Sequence, residues 1–211
     1  MIKVVFVHGW GEDCSLWNDV QKYLSCDHFM PHFVDMGFFH KPIDLEDTPA
    51  IYITHSMGTP WVLKHKKNIL GLMTINGFTY FTKTDQRHAG VDKRVLLRML
   101  RQFKSSPHQV LRDFMLNAGL ENYNAPNSMD EHLLLDGLEF LLECDVRDQY
   151  AQLAIPRLHL ASSDDAIVSQ ELSESSFGRD IFWYKNAHHV LPLSHPQEIA
   201  GKLTHFLKAF Q

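Results

Sequence analysis

The run Ile2–Val7 (IKVVFV) constrains the fold more than any other stretch. It is apolar and rich in β-branched residues, as expected of a strand covered on both faces, and it opens directly into His8-Gly9-Trp10-Gly11. Similar runs recur at 31–36, 51–54, 70–75, 157–161 and 181–184, separated by stretches of helical periodicity. Strands alternating with helices require right-handed crossovers and a parallel sheet. The alternation is interrupted once. Three helices are expected there, over 91–104, from the N-cap and first-turn proline Ser106-Pro107 to Gly119, and from a capping box at Ser128 to about Leu142. Helices are also expected over 59–67, 169–177 and 196–210. The expectation is one α/β domain formed by 1–78 and 145–211, with 79–144 as a helical lid over the C-terminal strand ends, where such sheets bind ligands.

Composition excludes several classes. A 211-residue chain with 45% hydrophobic and 21% charged residues is ordinary for one globular domain. No apolar stretch approaches the roughly 20 residues that span a bilayer, and Met1 to Val7 lacks the basic region and cleavage site of a signal peptide. Three cysteines (Cys14, Cys26, Cys144) without a C-x-x-C pair argue against a disulfide framework, so a cytoplasmic protein is expected. A net charge of −5 argues against nucleic-acid binding. His28 and His32 flank Pro31 and form no metal-binding helix face; neither a metal nor an organic cofactor is called for. Between Lys83 and Arg112 the chain nevertheless carries eight basic residues, Arg87 among them, against Asp85 and Asp92. Such an island suits an acidic partner or a solvated helix face.

The chemistry lies in four loops. Thr54-His55-Ser56-Met57-Gly58 stands between a strand and a helix, where a sharp turn thrusts a serine outward as a nucleophile; Thr54 occupies the usual glycine position. The His8-Gly9-Trp10-Gly11 turn can aim the Trp10 N–H at that serine, with the Met57 N–H as second donor for an oxyanion. Asp164-Asp165 follows the strand near Ala161, and His188-His189 follows the strand ending at Tyr184. One carboxylate and one imidazole of these pairs suffice to orient and supply a general base. Ser, then Asp, then His, each beyond a strand end, is the order of a hydrolase triad.

At these residues the chain resembles the α/β-hydrolases, and within them is similar to the pimeloyl-[acyl-carrier-protein] methyl ester esterases of biotin synthesis. The resemblance is carried by Val5–Gly11 with Trp17, by His55-Ser56-Met57-Gly58, by Gly137–Leu141 with Asp145-Val146-Arg147, and by Ala187–Pro196. It implies Ser56 as nucleophile, Asp165 as acid with Asp164 second, and His189 as base with His188 second. It also implies a sheet lacking the family's first strands and a linker, Gly37–Ala50, too short for the usual helix. An ester linked to acyl carrier protein is the implied substrate, and a monomer is expected. Arg94, Arg98 and Arg101, spaced to share one helix face, with Arg112, are the implied docking residues, opposite Leu96, Met99, Leu100 and Phe103. Trp10, Phe78 and Phe114 are expected to line the substrate site, with Trp61, Tyr80 and Phe81 as further candidates. A broad small-acyl carboxylesterase or thioesterase, or a catalytically silent binding protein of this fold, are the competing readings.

Overall fold

The computed structural model describes residues 2–24, 29–83 and 89–211; Cys26, His28, Asp85 and Arg87 lie outside them. Six strands form one sheet: β1 (Ile2–Val7), β2 (Phe29–Val34), β3 (Ala50–His55), β4 (Ile69–Ile75), β5 (Arg157–Ser162) and β6 (Phe182–Tyr184). Their order is β2-β1-β3-β4-β5-β6, and every neighbouring pair is parallel. The chain leaves β1 for β2 on one side and returns to β3 on the other. The strand order therefore reverses between β1 and β3, and the crevice at such a reversal is where α/β sheets bind ligands. The loop 8–13 and the turn at Ser56 open into that crevice.

Helices α1 (Asn18–Lys22), α2 (Gly58–His65), α3 (Lys93–Phe103), α4 (Pro107–Asn117), α5 (Glu131–Glu143), α6 (Arg147–Gln152), α7 (Gln170–Phe177), α8 (Leu191–Ser194) and α9 (Pro196–Leu207) complete the described elements, with 3-10 turns at Cys14–Trp17 and Lys208–Phe210. Alternate residues of the central strands feed opposite cores, as the period of two demands. Val4, Phe6, Ile51 and Ile53 pack with Leu191, Ile199 and Leu203 of α8 and α9 on one face. Val5, Val7, Tyr52 and Leu72 pack with Val62 and Leu63 of α2 on the other. A third cluster joins α3, α4 and α5 to Trp10, Met57 and Phe78 at the C-terminal ends of the strands.

The structure shifts several elements from their expected places. β2 begins two residues early, at Phe29, and ends at Val34, because Asp35 leaves the ladder to pair with Ile43 and the Met36 N–H is taken by His8. Pro31 is accommodated inside β2 because β2 is an edge strand, bonded only to β1. The third inserted helix is capped by Asp130, whose carboxylate accepts from the Leu133 N–H at 3.0 Å, and the expected cap at Ser128 lies outside it. Ser106 precedes α4 without a side-chain cap bond, and Gln109 turns instead to Asp113. The terminal α-helix stops at Leu207, and α1, α6 and α8 are short helices that periodicity did not reveal. No helix among the described residues is long and apolar enough to cross a membrane.

The approach of α2 to β1 leaves no room for a side chain at Gly58: a Cβ there would lie 2.6 Å from the carbonyl oxygen of Val7 and 2.7 Å from that of His8. Backbone cannot yield as a flexible side chain can. Gly58→Ala is expected to destabilise the fold by about 2 kcal/mol, lowering the melting temperature by roughly 6 °C in a thermal scan. An unchanged melting temperature would contradict this packing.

Candidate active site

Ser56 sits between β3 and α2 with φ of 50°, a left-handed conformation rare for a residue with a Cβ. Such a backbone costs about 1–2 kcal/mol and survives because its surroundings dictate it. The Ser56 N–H donates to Ile75 O at 3.0 Å and its carbonyl accepts from Thr59 N–H at 3.0 Å. Thr54, which stands where glycine is usual, is fully buried. Its hydroxyl donates to Met73 O at 3.4 Å and accepts from the Thr59 hydroxyl at 2.8 Å, tying the strand end to the first turn of α2.

The structure brings Ser56, His189 and Asp165 together. Ser56 Oγ lies 2.9 Å from His189 Nε2, and His189 Nδ1 lies 2.7 Å from Asp165 Oδ2. The other carboxylate oxygen, Oδ1, accepts the N–H groups of Ile167 at 2.7 Å and Val168 at 2.9 Å. A carboxylate so held accepts from Nδ1–H, which leaves Nε2 unprotonated and facing the serine. All three residues are buried. The paired candidates separate cleanly. Asp164 and His188 are exposed, and His188 reaches only the Asp164 carbonyl.

Two backbone donors complete the arrangement. The N–H groups of Trp10 and Met57 have no acceptor among the described residues. The Gly9 backbone comes so close to the serine that a Cβ on it would lie 2.9 Å from Ser56 Cβ. His8 fixes the loop from behind: its Nε2 accepts the Met36 N–H at 3.0 Å, so its Nδ1 carries the proton and donates to Gly9 O at 2.8 Å. Neighbouring Asp35 accepts the Gly37 N–H at 2.8 Å and the Cys14 N–H at 3.3 Å. Burial and Asp35 push the Cys14 thiol up to about 12.

Four residues that the sequence argument did not single out hold this geometry. Glu12 Oε2 accepts from Gly9 N–H at 2.7 Å and contacts His55 Nδ1 at 2.7 Å. His55 Nε2 lies 3.0 Å from the His189 carbonyl oxygen. Asn76, at φ of 46°, donates to that same carbonyl and to Ser162 Oγ, while its own oxygen accepts from Ser162 N–H. In the sequence His55 stands beside Ser56 without a role of its own, and Asn76-Gly77 reads as a turn at the end of β4.

Beside these residues lies a mainly apolar cavity of 230 Å³ whose lining includes Val95, Leu96, Met99, Phe114, Leu141 and Ile167, with Gln102, Asp113 and Asn117 as polar members. Phe114 reaches from it to His189, ring centroids 6.4 Å apart, and Ile167 belongs to the acid loop. Of the three expected lining residues, only Phe114 borders this cavity. Trp10 and Phe78 are buried, Trp10 edge-on to Phe114 with its indole N–H donated to Leu134 O at 2.8 Å, and Phe78 against Phe81. Phe81 does line the cavity; Trp61 borders a separate one with Met57, and Tyr80 stacks under Arg147. Arg94, Arg98 and Arg101 stand exposed on α3, with Arg112 exposed on α4. Arg94 is paired with Asp92 at 2.7 Å; Arg98, Arg101 and Arg112 have no ion-pair partner among the described residues.

No family model matches the chain. It is 25% identical over 242 residues to a pimeloyl-[acyl-carrier protein] methyl ester esterase of Vibrio vulnificus (strain YJ016), covering 96% of this chain and 93% of that one. Among solved structures, an esterase from Exiguobacterium antarcticum superposes with a TM-score of 0.84 at 17% identity, covering 99% of this chain and 92% of that one. A bromoperoxidase from Bacillus anthracis gives 0.83 at 19% identity, with 98% and 92% covered. The chain has the α/β-hydrolase fold and is similar along nearly its whole length to the pimeloyl-[acyl-carrier protein] methyl ester esterases.

Proposed function

We propose that the chain is a cytoplasmic, monomeric serine esterase that hydrolyses an acyl methyl ester, with pimeloyl-[acyl-carrier protein] methyl ester as its substrate and 79–144 as its lid. The observation that carries this is the hydrogen-bonded series Ser56–His189–Asp165 beside the backbone N–H groups of Trp10 and Met57. Ser56 Oγ attacks the ester carbonyl as His189 Nε2 takes its proton, and Asp165 steadies the imidazolium that forms. The Trp10 and Met57 N–H groups receive the negative charge on the carbonyl oxygen, each contributing roughly 3–4 kcal/mol. Collapse of the tetrahedral intermediate breaks the C–O bond, and His189 returns the proton to the leaving alkoxide, releasing methanol. Water, deprotonated by His189, then attacks the acyl-serine; the acid leaves and Ser56 regains its proton.

Two features support the substrate. The apolar cavity next to His189 suits a chain of methylenes, which it would remove from water at about 0.8 kcal/mol each. The helix that walls this cavity with Val95, Leu96 and Met99 turns Arg98 and Arg101 to solvent. One helix would thus hold the acyl group while presenting positive charge to an acidic carrier, and the relatives' name supports that partner.

Ser56→Ala is expected to lower kcat on p-nitrophenyl butyrate by about a millionfold, and a fluorophosphonate should label the wild type at Ser56. Absence of the label together with undiminished turnover in Ser56→Ala would sink the esterase reading. The double reversal Arg98→Glu/Arg101→Glu should raise KM for a carrier-linked methyl ester by roughly tenfold while leaving small soluble esters within about twofold. Equal loss on both would remove the carrier from the proposal and leave a broad small-acyl esterase.

A further inference from the structure

A buried acid and base lie beside the proposed triad without a role in the mechanism above. His55 is fully buried and Glu12 is nearly so. The two ring nitrogens of His55 both face acceptors: Glu12 Oε2 at 2.7 Å and the His189 carbonyl at 3.0 Å. Glu12 Oε2 also accepts the Gly9 N–H at 2.7 Å, a contact that an ionised carboxylate oxygen makes best. A neutral imidazole has one N–H and cannot satisfy two acceptors; an imidazolium can.

We propose that Glu12 and His55 form a carboxylate–imidazolium clamp that fixes the oxyanion loop and the His189 loop relative to each other, making both positioning residues for the ester hydrolysis. At one end the clamp grips Gly9, the residue before the Trp10 donor; at the other it grips the backbone of the base itself. Since Ser56 follows His55 directly, the three loops that must converge on the ester are tied through a single imidazole. The inference rests on the esterase reading for the word hydrolysis, whereas the charge state of the pair does not.

The electrostatics agree with the geometry. Burial works against a charge on His55, but Glu12 beside it, the His189 carbonyl and Asp165 together raise its pKa above the ordinary 6.5. Burial likewise pushes the Glu12 carboxyl up, and His55, with lesser help from His189 and the Gly9 N–H, brings it below its ordinary 4.5. Tyr123 also faces the pair, its hydroxyl pushed up to about 12 by burial and by Asp13 and Glu12, and the imidazole of His189 is 4.8 Å from that of His55. The clamp's contribution to stability is therefore full between about pH 4.5 and 6.5. It fades as pH falls through the lowered Glu12 value or rises through the raised His55 value.

Glu12→Gln leaves His55 no reason to stay charged, so the ring holds one proton for two acceptors. Glu12→Gln and His55→Gln are each expected to lower kcat on p-nitrophenyl butyrate about a hundredfold, with KM moving less than about threefold. The double variant should be no slower than the slower single, since the two act as one device. The melting-temperature difference between wild type and the double variant should peak within the pH window above. In wild type, ¹⁵N spectra at pH 6 should show the His55 ring protonated on both nitrogens. A neutral ring, singles within twofold of wild type, or singles whose losses multiply in the double variant would each overturn the clamp. Because the ¹⁵N measurement needs neither turnover nor a stable variant, it decides the clamp even if Ser56 fails to label and the esterase reading falls.

Discussion

The hydrogen bond of 2.9 Å between Ser56 and His189 joins residues 133 positions apart, and nothing local in either segment could produce it. It depends on strand order. β3 ends at the Ser56 turn, while β6, three strands away in the sheet, feeds the loop that carries the His189 imidazole. That loop must run back across the ends of β5 and β4 to reach the serine. Its path is fixed by polar groups on those ends: Asn76 after β4 and Ser162 at the end of β5 hold the carbonyls of His188 and His189. Parallel strands put all these ends on the same edge of the sheet, so a crossing loop meets one anchor per strand.

The polar groups that do this lie deep in the protein, and burial of charge is expensive unless every group is paired. A buried ion pair gains little net stability, because desolvation consumes much of the attraction. Glu12–His55 is thus poorly explained as a stabiliser of the sheet, whose three apolar cores already serve that end. What the pair supplies is direction. Its acceptors and donors are satisfied in one arrangement only, that in which Gly9 and His189 stand where they do. The positive φ of Ser56 and Asn76 belongs to the same economy of strain, held by backbone bonds to Ile75 and Leu160 on neighbouring strand ends.

How much of this could be read beforehand follows from the range of each interaction. The covered strands announced themselves through β-branched apolar runs, and the serine turn, the glycine loop and the late Asp and His came in an order that only a parallel sheet reconciles. The residues that meet the triad sideways gave no such signal. Glu12 and His55 are 43 positions apart, and a glutamate after a glycine turn reads as solvated until the fold closes over it. Asn76 was visible as a turn residue, but not as the donor that reaches a histidine loop 113 positions on. Trp10 and Phe78, expected at the substrate site, are buried in the structure, Trp10 as a floor edge-on to Phe114 and Phe78 against Phe81. The cap at Asp130 displaced Ser128 for a reason no local pattern contains: the Asp130 N–H is bound to Phe38 O at 2.7 Å, which fixes where the helix can begin.

The inserted helices make the consequence of that floor clear. α3 packs against both α4 and α5, so its apolar residues are divided between holding the insertion together and walling the cavity. Leu96 does both, being buried and on the cavity wall, while Val95 and Met99 are only partly covered and Arg98 and Arg101 lie outward. A helix with this division cannot change its cavity face independently of its charged face, because a rotation of about 100° per residue fixes which positions oppose which. Enlarging Val95 or Met99 would shorten the space beside His189 without moving the arginines, whereas any tilt of α3 would move both together. Acyl length and partner recognition, if both reside here, are therefore coupled through the rigid-body placement of one helix and separable only by substitution of side chains.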